Sequence, residues 1–248
     1  MAALWSWFFV YAMHLHLSLI QALLLPVGTW LLYVADRILD GLRSSELLRE
    51  RHHFHARHRT TFLLVSAFLV IPLAWAVATH MRPEAVRDDA CIGFFALLYL
   101  FAVHRIAARR LPKELAVALI FAFATAVPAW SRLHAGKGQL APAVLFFALL
   151  CWINCVGIEK WEGGKSHATT HWASLHLRAI VTMIALLSLA AALLAPSRGL
   201  MAVYLAALLS SGLLFALDTR SSHLSPLQLR IAADAALLTP LALFPFAR

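Results

Sequence analysis

Apolar runs long enough to cross a bilayer recur from one end of this sequence to the other, and they leave few folds open. They span roughly residues 5–42, 60–81, 90–106, 113–131, 139–160, 178–196, 199–217 and 229–247. A hydrocarbon layer about 30 Å thick is crossed by about 20 helical residues, and in it every backbone polar group must be paired internally. We therefore expect one integral membrane domain over residues 1–248, an all-α polytopic transmembrane bundle of eight or nine helices. The alternating pattern of a membrane β-barrel is absent. A mean hydropathy of +0.77 with 13% charged residues excludes an ordinary soluble domain.

The first run is too long for one crossing. At about 1.5 Å per residue a straight helix over 5–42 would exceed about 50 Å, so the run is either tilted and kinked at Pro26 or contains a short extra helix before His14. Taking alternate connections from the one after Asp40, Lys and Arg number fourteen on one side of the expected bundle and six on the other. The positive-inside rule places the richer side in the cytoplasm. The net charge of +9 then faces anionic headgroups, and nucleic acid is not an expected partner. Cys91, Cys151 and Cys155 form no CxxC pair and read as small hydrophobes within spans. The start Met1-Ala-Ala-Leu-Trp5 has no basic n-region, so no removable leader is expected.

Two of the spans end in acids on that richer side. The run Trp30-Leu-Leu-Tyr-Val-Ala-Asp-Arg-Ile-Leu-Asp40 puts Asp36 and Asp40 one turn apart, with Tyr33 and Arg37 on the same side. The run Trp152-Ile-Asn-Cys-Val-Gly-Ile-Glu-Lys-Trp-Glu162 puts Glu159 and Glu162 on one face, with Asn154 earlier along the helix. Ionisable groups at membrane depth mark functional sites by default. The plainer reading neutralises them locally, Asp36 and Asp40 by Arg37 and Arg43, and Glu159 and Glu162 by Lys160 and Lys165. Oxygen-only ligands favour a hard cation such as Mg²⁺, whose shell is usually completed by water and substrate phosphates. Arg109, Arg110 and Lys113, or Lys165 and Arg178, are available to meet the charge of a diphosphate, although each is equally a topology signal.

Acidic motifs about 120 residues apart at the same-side ends of two helices, in a bundle of eight or nine spans, resemble the UbiA superfamily of membrane prenyltransferases. The resemblance covers nearly the whole chain from residue 5. Members have nine transmembrane helices and hold an isoprenoid diphosphate through Mg²⁺ between an acidic motif after the second helix and another after the sixth. The first family motif reads Asn-Asp-x-x-Asp-x-x-x-Asp; its last two acids fall on Asp36 and Asp40, while Leu32 and Tyr33 stand in for the Asn and the first Asp. The second, usually built of Asp, falls on Glu159 and Glu162, with Ser166 in the place of a third acid. What the resemblance implies is a transferase that moves a prenyl group from an isoprenoid diphosphate to a lipophilic acceptor. Mg²⁺ on Asp36, Asp40, Glu159 and Glu162 would stabilise the departing diphosphate. Trp30, Tyr33, Trp152 and Trp161 would shield the allylic cation, though such residues are also ordinary at membrane interfaces. The implied location is a bacterial inner membrane, with both motifs facing the cytoplasm.

Other classes remain in view. Paired membrane acids also serve transporters, and the missing family acids leave room for a non-catalytic scaffold. The cluster His52, His53, His55 and His58, with His167 and His171, suggests the di-iron histidine boxes of membrane oxidases; the interleaved arginines would repel a metal, and a basic lipid-facing loop is simpler. Asp234, four residues after Arg230, reads as half of a helical ion pair, and Asp218 as a solvated loop acid before Pro226. Glu114 complements a helix start after Pro112, and Gly163-Gly164 ends the helix after Glu162 and could act as a hinge.

Overall fold

The computed structural model describes residues 1–41, 57–101, 113–163 and 168–247, and among them the chain forms helices and turns with no strand. Five helical segments are long and apolar enough to cross a membrane: Leu19–Leu39, Arg59–His80, Lys137–Trp161, Arg198–Thr219 and Pro226–Phe246. By that length and hydropathy the chain is a membrane protein. It divides into two compact units, the larger from residues 1–17 and 109–248 and the smaller from residues 18–108.

The long first run resolves into two helices. Helix α1 (Ala2–Ala12) stops where His14 takes a φ of 55°, and α2 (Leu19–Gly41) starts afresh. Its start carries a reciprocal cap: the Gln21 N–H donates to Ser18 Oγ at 3.3 Å and the Ser18 N–H to Gln21 Oε1 at 3.4 Å. Pro26 lies inside α2, and the Thr29 hydroxyl donates to the Leu25 carbonyl at 2.9 Å beside it. The extra helix before His14 is therefore present.

In the smaller unit α2 packs on α3 (Arg59–His80), and Gln21 Nε2 donates to the carbonyl of His80 at 2.6 Å. No residue of α3 is buried, and Phe68, Ile71 and Trp75 stand outward where acyl chains would lie. Helix α4 (Pro83–Phe101) begins several residues before the apolar run, because Glu84, Arg87, Asp88 and Asp89 join its first turns. Cys91 on α4 is exposed, unlike the buried Cys151.

The larger unit is built on α6 (Lys137–Trp161), which packs against α5 (Lys113–Trp130), α7 (Ala168–Leu175), α8 (Leu177–Leu193), α9 (Arg198–Thr219) and α10 (Pro226–Ala236). Lipid tails are as apolar as leucine, so close packing rather than water exclusion drives such contacts. Helix α9 meets that demand with Gly199, Ala202, Ala206 and Ser210 along one stripe. Helix α1 supplies the bulky counterpart: Trp5, Phe8 and Phe9 are fully buried, and Trp5 stacks on Phe147 of α6 at 4.4 Å.

The last run is not one helix. Helix α10 ends at Ala236, and a short α11 (Pro240–Leu243) and a 3-10 turn over Phe244–Phe246 follow. Proline at 240 has no N–H to continue the ladder, so carbonyls are released inside the bundle. Trp5 Nε1 donates to the carbonyl of Leu237 at 2.8 Å, and Thr239 Oγ1 donates to that of Ala206 at 2.9 Å while bonding Ser210 Oγ at 2.7 Å. The released carbonyl of Leu237 is thus satisfied from α1, and Thr239 ties the interruption to α9.

Gly199 marks a close approach of α1 and α9, since a Cβ there would collide with the backbone oxygen of Ala12. Gly212, on the same helix, faces open space. Gly199→Ala is expected to cost about 1–3 kcal/mol through overpacking and to lower the thermal midpoint of the detergent-solubilised protein; Gly212→Ala should leave it unchanged or raise it slightly.

Candidate functional site

The charged residues at the end of α6 are ordered by an acid the sequence had placed in a loop. Asp218 is the penultimate residue of α9 and is 1% exposed, not solvated. Its Oδ1 accepts from Lys160 Nζ at 2.8 Å and from Trp161 Nε1 at 2.9 Å, and its Oδ2 accepts from Arg178 Nε at 2.9 Å. The Arg178 Nη2 also donates to the Asp218 backbone oxygen at 3.3 Å, and Ser221 Oγ donates to the same atom at 2.9 Å. A buried carboxylate is tolerated only when its lone pairs are met by donors, and here two cations and an indole meet them.

Trp161 reaches Asp218 because of the residue one turn earlier. Its ring folds back over Gly157, where a Cβ would lie 3.0 Å from the indole. The helix ends at Trp161, Glu162 is its C-cap, and Gly163 takes the left-handed φ of 66° that stops it. Gly164 lies outside the described residues, so the proposed hinge rests on Gly163 alone.

Lys160 is therefore not the counter-ion of Glu159 and Glu162; it is turned to Asp218. Glu162, whose side chain is 15% exposed, lies 3.8 Å from Arg230 Nη1 of α10. Arg230 is thus engaged across helices, and the expected pairing of Arg230 with Asp234 does not form. Asp234 instead accepts from Asn154 Nδ2 of α6 at 3.3 Å. Asn154 is buried, and its Oδ1 has no hydrogen-bond partner. Thr170 of α7 donates to Glu114 of α5, so Glu114 ties two helices in addition to sitting at a helix start.

The other expected residues divide as follows. Asp36 and Asp40 lie one turn apart on α2 in the smaller unit, and Asp36 is half-buried; the side chain of Asp40 lies outside the description. The Arg37 guanidinium sits 5.0 Å over the Tyr33 ring, so one face of that ring is already covered by a cation. Lys113 opens α5, with its side chain outside the description. Arg109, Arg110, Lys165, Ser166 and His167 lie outside the described residues, as do Arg43, His52, His53 and His55. Asn154, Glu159 and Glu162 share α6 in the larger unit.

Sequence reasoning missed Asp218, Arg230 as the partner of Glu162, and Asp234 as the partner of Asn154. Apolarity ended the span at residue 217, one residue short of Asp218, although an acid adjoining an apolar run was itself a signal. Compared with known proteins, the chain matches no family model, no curated protein and no solved structure.

Removing a buried charge while leaving its partners costs about 3–5 kcal/mol. Asp218→Asn should destabilise the protein by less, about 1–3 kcal/mol in detergent unfolding, because the Lys160 and Arg178 charges it leaves are partly exposed. Arg178→Gln should cost much less, because its side chain is 58% exposed and Lys160 and Trp161 still hold the carboxylate. Equal losses for the two variants would show that Lys160 and Trp161 cannot hold the Asp218 carboxylate without Arg178.

Proposed function

We propose that the protein is a membrane-embedded, Mg²⁺-dependent transferase that moves a prenyl group from an isoprenoid diphosphate to a lipophilic acceptor, a UbiA-like prenyltransferase acting at the cytoplasmic face of a bacterial inner membrane. The observation that carries this reading is the gathering of two cations beside an acidic helix end. Lys160 and Arg178 both bind the Asp218 carboxylate, next to the turn that bears Glu159 and Glu162.

The donor set suits a hard cation. Glu159 and Glu162 offer carboxylate oxygen at the end of α6, and Asp36 and Asp40 offer it at the end of α2. Among the described residues no three His, Cys, Asp or Glu side chains gather closely enough to hold a metal ion unaided, so water or substrate oxygens must complete its shell, as is usual for Mg²⁺. When bound, Mg²⁺ supplies Lewis-acid stabilisation of the charge on a departing diphosphate.

The chain's own residues do the rest in this reading. Asp218 holds Lys160 and Arg178 in place, and each keeps donor hydrogens beyond those it gives to Asp218. Those donors meet phosphate oxygens, the guanidinium of Arg178 in a forked geometry. Arg109, Arg110, Lys113 and Lys165 are assigned to the same diphosphate, and Arg37 is assigned to hold the Tyr33 ring. Trp152 and Trp161 flank the end of α6 and keep water from the prenyl chain.

The test is binding of a long-chain allylic diphosphate to the purified protein with and without Mg²⁺. Binding that requires Mg²⁺ and weakens at least tenfold in Asp40→Asn and in Glu162→Gln is the expected result. Absence of binding by the intact protein rejects the reading, and substrate flux in proteoliposomes without pyrophosphate release replaces it with transport.

A further inference from the structure

Asp234 is an acid in the wrong place for a structural ion pair. It is the ninth of the 21 residues in the span Pro226–Phe246, about 12 Å along the helix from its start, and it is exposed. A carboxylate at that depth is costly unless a cation or donor meets it. The cation one turn away on α10, Arg230, is turned to Glu162. What meets Asp234 is a single neutral amide at 3.3 Å, Asn154 Nδ2.

Asn154 has the complementary deficit. It is 5% exposed, and its Oδ1 is buried with no partner. An unmet buried acceptor costs about 1–3 kcal/mol, and rotating the amide to hide it would surrender the bond to Asp234. Together the two side chains present acceptors: both carboxylate oxygens of Asp234 and the amide oxygen of Asn154. Such a set is completed by a hydrogen-bond donor. A metal ion fits it poorly, since it offers one charged ligand and Arg230 stands one turn away on the same helix.

The surroundings define the rest of the ligand. Asp234 shares the exposed face of α10 with Ile231 one turn before it and Leu227 two turns before it. A group reaching an exposed side chain halfway along a span arrives through the bilayer. We infer that Asn154 and Asp234 form a binding site for the hydroxyl of a membrane-soluble alcohol or phenol, with the O–H donating to this pair and the apolar body lying along α10. The inference deepens the transferase reading and rests on it for its biological role: the site would hold the lipophilic acceptor, separately from the diphosphate.

The broken end of α10 suits this role. The chain turns after Ala236, held by Trp5 at Leu237 and by Thr239 at Ala206. Interrupted spans are a recurrent way of placing polar groups at membrane depth. Asp234 is therefore anchored two residues before a fixed turn rather than on a sliding helix.

The experiment uses the full chain in phosphatidylcholine nanodiscs and two photoreactive probes with the same diazirine-bearing tail, hexadecanol and the matching hexadecane. The alcohol is expected to label peptides around residues 150–158 and 230–238 at least tenfold more than the hydrocarbon, and Asp234→Asn or Asn154→Leu is expected to remove that preference. Equal labelling of the intact protein by the two probes overturns the inference without need of any variant. Retained preference in both variants also overturns it. Mg²⁺-dependent diphosphate binding, measured separately on intact protein and Asp234→Asn, keeps the two proposals apart: its absence from the intact protein removes the transferase reading and leaves the hydroxyl site standing, whereas its loss only in Asp234→Asn overturns the separate hydroxyl site.

Discussion

One buried carboxylate organises the polar end of the larger unit. Because Asp218 is sealed from solvent, its charge must be met by donors whose positions are then no longer free. Lys160 and Trp161 fix the last turn of α6, Arg178 fixes the first turn of α8, and Asp218 itself ends α9. Glu159 and Glu162 bracket Lys160 and Trp161 in sequence, so their backbone is held by a bond they do not make. Gly157 belongs to the same device, since it gives the indole room to lie back along the helix.

A second tier of polar contacts runs between α6 and α10, and its order follows from charge. The charged pair, Glu162 with Arg230, takes the position nearer the helix end. The neutral amide of Asn154 takes the deeper one, opposite Asp234. Charges are cheaper near the interface and amides are tolerable further in, because the desolvation cost rises steeply with charge. Elsewhere in the unit the packing is apolar: the aromatic side chains of α1 meet Phe147 and Phe244, and Gly199 of α9 lets the backbone of Ala12 come close.

Much of the architecture was readable from patterns confined to one segment. The stop at Gly163 and the division near His14 both rest on local backbone chemistry. Contacts between helices were not readable in this way. The spacing of Arg230 and Asp234 satisfies the rule for neighbours on one helix, yet both side chains turn to α6, where Glu162 and Asn154 offer partners already out of water. Asp218 was hidden by a boundary drawn where apolarity ends, although helices here extend past that point. The interruption after Ala236 was hidden by apolarity as well, since Leu237, Leu238 and Leu241 are as hydrophobic as any helical residue; only Thr239 and Pro240 betrayed it. The acidic pair on α2 stands as the sequence placed it, one turn apart.

The bond from Trp5 to Leu237 joins residues 232 positions apart, and the whole of the smaller unit is encoded between the two parts of the larger one. During synthesis α1 is therefore made before the smaller unit and waits for its partner until residue 237 has followed. Through that interval the aromatic face of α1 must rest against lipid or insertion machinery, and α2 to α4 can settle before the larger unit has its final helix. Biogenesis thus places the closing step of the larger unit after the whole of the smaller unit has been made, when the carbonyl of Leu237 becomes available to α1.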